Sequence, residues 1–411
     1  MGKIYGEDVQ VKPAFPMARA QKKGVSGTSG KGLLLYIHVP FCKSRCHYCN
    51  FHSQAFNQVT FAWYFKLMLQ EIELWGKRLK KPLLRTIYFG GGTPSLIPLH
   101  QLNQIMKALD KAFTFGSDME VTIEANPDSA TDISYFRALL TMGFNRLSLG
   151  IQSLNDMELH LMGRPHSAAM AMQSFESARK AGFGNISVDL IWGLPNQRLK
   201  AWTAQLEAVS RMRPEHISAY NLTIEPNTVM AKLCDEQEDL TLPPEQEQGR
   251  MFIYGAEYLE SMGYMHYEVS NFARMGFTSA HNSGYWDGSD YLGLGPSAVS
   301  TIGRRRFTTP RYMDEYDAYV RGGLVGEDHE LLTDDNLLKE MVMLSLRTSK
   351  GLDLKEYRKR AGFDLIKRQQ QLITALHREH LIRINQGRLR LTKNGMLVSN
   401  VIIRRLAFDT D

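Results

Sequence analysis

Three of the chain's four cysteines, Cys42, Cys46 and Cys49, lie within eight residues of a sequence of 411. Their spacing, C-x3-C-x2-C, places three thiolates on one loop directly after a short apolar run. Such a triplet can bind three irons of a 4Fe-4S cluster and leave the fourth iron open to a chelating small molecule. The spacing therefore predicts an iron-sulfur site with one exchangeable position.

A structural zinc site is the alternative, because three cysteines and one histidine form a common zinc set. The histidines near the triplet are His38, His47 and His52. Zinc ligands usually come in C-x2-C pairs, so a lone triplet favours the cluster. The fourth cysteine, Cys234, stands alone in a polar stretch and is most simply a free thiol, so no disulfide framework is expected. A reducing compartment is predicted.

The composition is that of an ordinary globular protein, with 43% hydrophobic and 22% charged residues. The first residues lack the apolar core of a signal peptide, and no run approaches the roughly 20 apolar residues of a membrane span. We therefore expect a cytoplasmic protein. The net charge is +6. Its basic residues are dispersed apart from small clusters such as Arg304–Arg306, which argues against a nucleic-acid partner.

The elements that must position the cysteines follow an alternating pattern of short apolar runs and amphipathic segments. Predicted strands are 33–39, 85–90, 119–125, 146–152, 185–193 and 216–223. Predicted helices are 57–80, 99–113, 131–142, 154–161, 167–181 and 199–211. Six strand-helix repeats imply parallel strands joined by right-handed crossovers. Because a closed barrel has eight units, the candidates are an open partial barrel and a doubly wound sheet.

Polar residues occur at the carboxyl ends of these strands, where an α/β barrel collects its chemistry. They are Cys42, the glycines of GGGTP (90–94), Glu124, Gln152, Asp189, Tyr220 and Asn221. Taken singly, Glu124 and Gln152 are equally well explained as helix caps or as part of a solvated rim. Their common position at successive strand ends favours a barrel with a functional mouth.

The motif C-x3-C-x2-C after the first strand, with Tyr48 before the third cysteine, resembles the radical S-adenosylmethionine superfamily. GGGTP resembles that superfamily's glycine-rich loop, whose backbone approaches the methionine amino group because glycine has no side chain. The resemblance implies an α/β fold with a partial (β/α)6 TIM-type barrel. It also implies a 4Fe-4S cluster on Cys42, Cys46 and Cys49, and reductive cleavage of S-adenosylmethionine.

Within the superfamily the chain resembles the oxygen-independent coproporphyrinogen III oxidase group, from Tyr36 onward. The matching stretches are LYIHVPFCKSRCHYC, IYFGGGTPS, TIEANPDS, RLSLGIQS, MGRPHS and SVDLIWGLP. The cofactor-binding residues implied by this resemblance are Tyr36, Tyr48, Gly91, Gly92, Thr93, Glu124, Gln152, Arg164 and Asp189. A carboxylate suits the amino or ribose hydroxyl groups of the ligand, and Arg164 suits its carboxylate. Without the resemblance, Arg164 is most simply part of a surface ion pair.

Two features separate the chain from the oxidases. Their cysteine motif continues as C-x-C, whereas Cys49 is followed here by Asn50 and Phe51. In addition, HNSGYW (281–286) resembles HemW-type haem chaperones. That resemblance implies haem as a third cofactor, with His281 as an axial ligand and with Tyr285 and Trp286 packed on the porphyrin. The alternative is a structural role for His281 and a core role for the two aromatic side chains.

The resemblance thus implies a chaperone that delivers haem to haem-dependent proteins, such as respiratory-chain or iron-storage proteins. The alternatives are a true coproporphyrinogen oxidase and a barrel that serves only in protein interactions. Whether S-adenosylmethionine is cleaved in turnover, and so whether the chain is an enzyme, is left open. A monomer or a dimer, and peripheral association with a membrane through partners, are both compatible with the sequence.

Three segments are predicted along the chain. Residues 1–31, rich in Lys, Gly and Ser, are expected to form a flexible leader. Residues 32–302 carry the barrel and the segment that follows it. Residues 303–411 are expected to form a smaller, mainly helical, winged-helix-like domain, with Thr333 as the N-cap of its first helix and a hairpin that turns at Gln386-Gly387.

Overall fold

The computed structural model describes residues 32–324 and 329–408, so the predicted leader lies outside the described residues. Strands β1 to β17 are Leu33–Val39, Phe41–Cys42, Gln54–Ala55, Leu83–Gly91, Thr114–Ala125, Arg146–Gln152, Ile186–Trp192, His216–Asn221, Met265–Glu268, Asn271–Ala273, Tyr291–Leu294, Val299–Ile302, Arg305–Thr308, His329–Leu331, Leu352–Asp353, Ile382–Asn385 and Arg388–Leu391. Helices α1 to α16 are Gln58–Arg78, Leu99–Ala112, Ile133–Thr141, Asp156–Leu161, Ala168–Ala181, Leu199–Met212, Val229–Glu236, Glu245–Ser261, Ala280–Trp286, Met313–Arg321, Asp334–Ser345, Leu354–Ala361, Leu365–Arg368, Gln370–Arg378, Lys393–Leu397 and Ser399–Ala407. Across both described ranges, no helix has the length and apolar character that crossing a bilayer requires.

The centre of the molecule is a run of seven parallel strands in the order β11-β1-β4-β5-β6-β7-β8. Six of them are the predicted strands in chain order, and helices α1 to α6 connect them. The predicted α/β architecture is confirmed, and this sheet is compatible with a partial barrel. The seventh strand, β11, was not predicted. It has only four residues and follows no strand-helix repeat, so the sequence pattern gives no signal for it.

The parallel strands are buried because helices cover them. In β1 every residue except Tyr36 is buried, and in β6 every residue except Gln152 is buried. Apolar side chains on successive positions are typical of strands covered on both faces. Large side chains such as Phe89 and Trp202 complete this core. Polar side chains therefore lie mainly at the strand ends and at a few interior positions of the sheet.

Antiparallel strands extend both sides of the parallel run. Strands β10 and β9 follow β8 on one side, and β12, β13 and β14 follow β11 on the other. Two of these, Arg305–Thr308 and His329–Leu331, lie after residue 302 and still belong to the large sheet. The division of the chain at residues 302 and 303 stays a prediction.

The C-terminal region is mainly helical, as predicted, and has an apolar core that includes Val342, Leu376 and Ile403. The side chain of Thr333 caps helix α11, and Asn336 completes the capping box. The predicted hairpin is formed by β16 and β17, which pair in register around Gln386 and Gly387. Both turn residues have positive φ, 51° and 71°, as a two-residue turn of this hand requires.

Candidate functional site

A pocket of about 430 Å³ opens at the carboxyl ends of the parallel strands. Eleven of the predicted site residues line it: Cys42, Cys46, Tyr48, Cys49, Gly91, Gly92, Thr93, Glu124, Gln152, Arg164 and Asp189. They come from five strands and the loops that follow them. The fold thus brings together residues that are as much as 147 positions apart, from Cys42 to Asp189.

The cysteine loop is fixed to the rest of the mouth by its backbone. The N–H of His47 donates to the carbonyl of Met162 at 2.9 Å, and the carbonyl of His47 accepts from Met230 N–H at 2.8 Å. The His47 ring adds a hydrogen bond between Nδ1 and the carbonyl of Leu161 at 2.8 Å. These contacts hold the middle of the loop, so the cysteines on either side face the pocket from a defined position.

The three thiols are free and partly buried, and they differ in their surroundings. Thr93 Oγ1 donates to Cys42 Sγ at 3.6 Å, and Arg164 Nη1 donates to Cys46 Sγ at 3.3 Å. Both sulfur atoms therefore accept a hydrogen bond within the pocket. Burial raises the pKa of Cys49. A bound metal centre would supply the positive charge that keeps Cys49 deprotonated.

The donor set fits a cluster better than a single zinc ion. Within residues 32–324 and 329–408, no three His, Cys, Asp or Glu side chains are placed to bind one metal ion together. Of the nearby histidines, His38 has both ring nitrogens hydrogen-bonded, to Tyr36 and to a backbone carbonyl, whereas His47 and His52 each use Nδ1. In a 4Fe-4S cluster each cysteine binds its own iron, so the thiols need not meet at one point.

The glycine-rich loop approaches neighbouring backbone closely. A Cβ atom at Gly92 would lie 2.5 Å from the carbonyl oxygen of Phe41, and Gly91 has a φ of +111°. Both positions exclude a side chain, the first by space and the second by conformation. The loop therefore presents its backbone directly to the pocket.

Glu124 lies on the pocket wall beneath this loop. Its Oε1 accepts from the Tyr88 hydroxyl at 2.8 Å, and its Oε2 accepts from Gly91 N–H at 3.2 Å. Desolvation by the surrounding protein raises the pKa of Glu124 to about 7, although these hydrogen bonds oppose the rise. A cationic group in the pocket would favour the ionised carboxylate and thereby offset the desolvation.

Asp189 and Gln152 lie on the adjacent strands. Asp189 accepts from Ser148 at 2.9 Å and from Ser187 at 3.1 Å, and burial raises its pKa. Gln152 ends β6 with a φ of 65°, a left-handed conformation that is uncommon for a residue with a side chain. Non-glycine residues in such conformations cluster at functional sites.

Arg164 reaches the pocket from the segment after α4. Its Nη2 donates to Asn126 Oδ1 at 2.7 Å and to the Gly150 carbonyl at 2.8 Å, while Nη1 contacts Cys46. Its Nε is buried and has no hydrogen-bond partner. The guanidinium thus contacts the cysteine loop and the end of β6 rather than an exposed carboxylate.

Four predicted residues, Tyr36, His281, Tyr285 and Trp286, do not line this pocket. Tyr36 and His281 lie deeper in the sheet interior, where they line a smaller cavity of about 190 Å³. His281 Nδ1 hydrogen-bonds the Thr86 hydroxyl at 2.6 Å, and Nε2 hydrogen-bonds the Tyr285 hydroxyl at 3.0 Å. The ring is 2% exposed, and burial lowers its pKa to about 3. Both ring nitrogens of the neutral imidazole are therefore occupied.

Three further residues that line the pocket, Tyr88, Asn126 and Ser148, were not predicted. The two-residue period of a strand could have indicated them, because side chains two or four positions apart lie on the same face. Asn126 lies two positions after Glu124, and Ser148 lies four before Gln152, so each points to the same side as a predicted site residue. Tyr88 lies in the strand that ends at the GGGTP glycines, and only those glycines were predicted to belong to the site.

Known proteins resemble this chain in sequence and in fold. Residues 36–204 match the family "Radical SAM superfamily", and residues 332–398 match the "HemN C-terminal domain". A protein of Bacillus subtilis (strain 168) named "Heme chaperone HemW" is 34% identical over 370 residues, which cover 89% of this chain and 97% of that protein. The chain belongs to the HemW family.

A mitochondrial protein is also similar to this chain. The bovine "Radical S-adenosyl methionine domain-containing protein 1, mitochondrial" is 36% identical over 328 residues, which cover 77% of this chain and 74% of that protein. Among solved structures, coproporphyrinogen III oxidase (HemN) from Escherichia coli has a TM-score of 0.78 at 24% identity, with 92% of this chain and 91% of that chain covered. The HemW-type chain thus shares the radical SAM fold of HemN, and its superfamily implies a 4Fe-4S cluster and S-adenosylmethionine.

Proposed function

We propose that this HemW-type protein binds haem and, with a 4Fe-4S cluster and S-adenosylmethionine, delivers it to haem-dependent proteins. The observation that carries the proposal is the single pocket in which three cysteines meet Gly92 and Glu124. The name of the Bacillus subtilis relative supports haem as the cargo.

The chain's own residues would share the binding of the two cofactors. Cys42, Cys46 and Cys49 would bind three irons, and Arg164 would orient the loop through its contact with Cys46. Glu124 would accept the ligand's amino group. When bound, the cluster with its open iron supplies a site for chelation and a one-electron donor. The protein contributes binding, orientation and a partly water-excluded pocket.

The sequence after the triplet favours the chaperone over the oxidase. Phe51 occupies the position of the oxidases' fourth cysteine and is 69% exposed. Asn50 Nδ2 donates to Glu225 Oε2 at 3.2 Å. Neither side chain supplies a thiol. Coproporphyrinogen III oxidase remains the second candidate because the folds agree over most of both chains, although fold alone does not fix activity.

That His281 is an axial ligand of the haem iron stays a prediction, and it requires a local rearrangement around the ring. Its Nε2 must first lose the hydrogen bond to Tyr285, and the ring must gain access from a position that is 2% exposed. Tyr285 and Trp286 have no such obstacle to packing against a porphyrin, because both are only partly buried. Aromatic contact is therefore the simpler role for this motif.

The test is an anaerobic reconstitution with iron and sulfide, followed by two assays on the same protein. Haem is titrated and its absorbance followed, and coproporphyrinogen III is incubated with S-adenosylmethionine and a reductant. We expect stoichiometric haem binding, haem transfer to an apo-haem protein, and no decarboxylated porphyrin. Formation of protoporphyrinogen without haem binding would instead identify the oxidase.

A further inference from the structure

The cavity of about 190 Å³ that lies deeper in the sheet than the mouth pocket has an unusual lining. We call it the interior cavity. Its side chains come from the inward faces of β1, β4, β6 and β8, from the hairpin of β9 and β10, and from the start of α9. The interior of an α/β barrel is normally filled by bulky apolar side chains. Here every residue that lines the space carries a polar side-chain atom, so the cavity is suited to a polar ligand.

Arg146, at the start of β6, gives the interior cavity a positive charge. The residue is 2% exposed, and its Nε is buried without a hydrogen-bond partner. Burial lowers the pKa of Arg146, but the charges around it, led by that of Glu120, raise the pKa by more, so the guanidinium is charged. The two histidines of the lining, His216 and His281, are neutral because burial lowers their pKa. Among the described residues that line the cavity, Arg146 is therefore the one charged group.

The guanidinium of Arg146 lacks a counter-ion. No carboxylate in the described ranges lies within ion-pair distance of it. The two oxygens of Glu120 instead accept from Ser279 Oγ at 3.3 Å and from the N–H groups of Ala280 and His281, both at 2.9 Å. Glu120 thus caps the N-terminus of α9. A buried charge without a partner is strongly destabilising, and an anion beside it offsets that cost.

We propose that the interior cavity binds a small planar oxyanion, of the carboxylate or bicarbonate type, on the guanidinium of Arg146. A guanidinium matches such an anion through two parallel N–H···O bonds. Asn282 Nδ2 is a second buried donor without a hydrogen-bond partner in the same lining. A volume of about 190 Å³ equals that of roughly six waters at about 30 Å³ each, so an anion of three or four heavy atoms fits together with water.

The two acids of the mouth pocket do not fill this role. Glu124 and Asp189 line the mouth pocket and not the interior cavity, and each is already hydrogen-bonded to neighbouring groups. The two spaces are adjacent, because Tyr88, Ser148 and Tyr220 line both of them. An anion can therefore enter through the mouth pocket. In this arrangement the cationic amino group of S-adenosylmethionine and the anion have separate partners, Glu124 and Arg146.

The experiment uses the full chain at pH 7 with sodium formate as the probe. Binding of ¹³C-labelled formate is followed by NMR line broadening, and thermal unfolding is measured while formate replaces chloride at constant ionic strength. Arg146→Lys keeps the charge but loses the planar fork, and Arg146→Gln removes the charge. Arg137→Gln is the matched control, because Arg137 is exposed on α3 and does not line the cavity.

We expect saturable binding of one formate per chain to the wild type and to Arg137→Gln. Arg146→Lys should weaken this binding about tenfold, and Arg146→Gln should abolish it. Formate should also raise the unfolding temperature of the wild type, as linkage requires, but not that of Arg146→Gln. Equal formate affinity in the wild type and both Arg146 variants would overturn the site. Absence of saturable formate binding to the wild type would do the same, and that result does not depend on how well any variant folds.

Discussion

The Tyr88 hydroxyl donates to Glu124 at 2.8 Å, while the face of the same ring stacks on His281 with 5.0 Å between ring centroids. Tyr88 thus contacts both the mouth pocket and the interior motif that was predicted to bind haem. Tyr285 lines the same interior cavity as His281 and hydrogen-bonds its ring, so it continues this connection. Packed aromatic side chains thus link the mouth pocket to the HNSGYW motif.

Binding of S-adenosylmethionine should strengthen as pH rises through about 7. The free protein holds Glu124 with a raised pKa of about 7, and the ligand's ammonium prefers the ionised carboxylate. Below this pKa we expect affinity to fall about tenfold for each unit of pH. Calorimetric titration from pH 6 to pH 8.5 measures the affinity at each pH, and Glu124→Gln should remove its pH dependence. A flat wild-type profile would contradict a role for Glu124 in binding the amino group.

Replacing Cys42, Cys46 or Cys49 with Ser should abolish the cluster while leaving the fold intact. Each thiol is partly buried at the pocket, so loss of sulfur removes a ligand without opening a core cavity. Iron analysis and absorbance after anaerobic reconstitution measure the loss, and circular dichroism checks the fold. Cys234→Ser is the matched control and should load iron normally. Normal iron content in all three loop variants would refute the cluster assignment.

Gly92→Ala should disturb the mouth because the new Cβ would lie 2.5 Å from the Phe41 carbonyl oxygen. We expect destabilisation of about 1–3 kcal/mol, as for overpacked sites, and loss of S-adenosylmethionine binding. Gly184→Ala is the control, since a Cβ atom at Gly184 would have no neighbour within 4 Å and the φ of this residue is ordinary. Denaturant unfolding and ligand titration report on both. If the two variants behave alike, close approach at Gly92 is not required.

Because Glu71 is buried, the free energy of unfolding should fall as pH rises from about 4.5 to 7. Its carboxylate is completely buried, where it accepts from Tyr316 at 2.7 Å and from Gly295 N–H at 2.9 Å. Burial raises its pKa to about 7, above the ordinary value of 4.5, so the folded state retains a proton that the unfolded state releases. By linkage, stability is fully present below the unfolded pKa and declines on the order of 3 kcal/mol across this window.

Urea unfolding at pH 4.5, 6 and 7.5 measures this linkage. Glu71→Gln cannot ionise and should show a smaller decline over the same range, whatever its absolute stability. Glu73→Gln, at an exposed position on the same helix, controls for the loss of one acidic group. Parallel declines in Glu71→Gln and wild type would show that other groups dominate the pH dependence.

Much of this molecule could be predicted because its signals are local. Continuous apolar runs indicated the six strands, and residues at their carboxyl ends had to meet at the mouth. The roles of Glu124 and Arg164 were predicted from the family resemblance. The sequence position of a lone carboxylate or guanidinium does not indicate which ligand it binds. Strand β11 escaped prediction because four residues give too short a pattern. The burial of His281 depends on contacts with Thr86, far away in sequence, which no local pattern contains.

The pairing of β1 with β11 has a consequence for biosynthesis. Leu34 lies opposite Tyr291, 257 residues later in the chain (291 minus 34). At 5–20 residues per second, roughly 13–50 s pass between the synthesis of the two strands. During that time β1 has an unpaired edge, and the cysteines that follow it are already made. The nascent chain must therefore keep an open strand edge and reduced thiols until β11 is made.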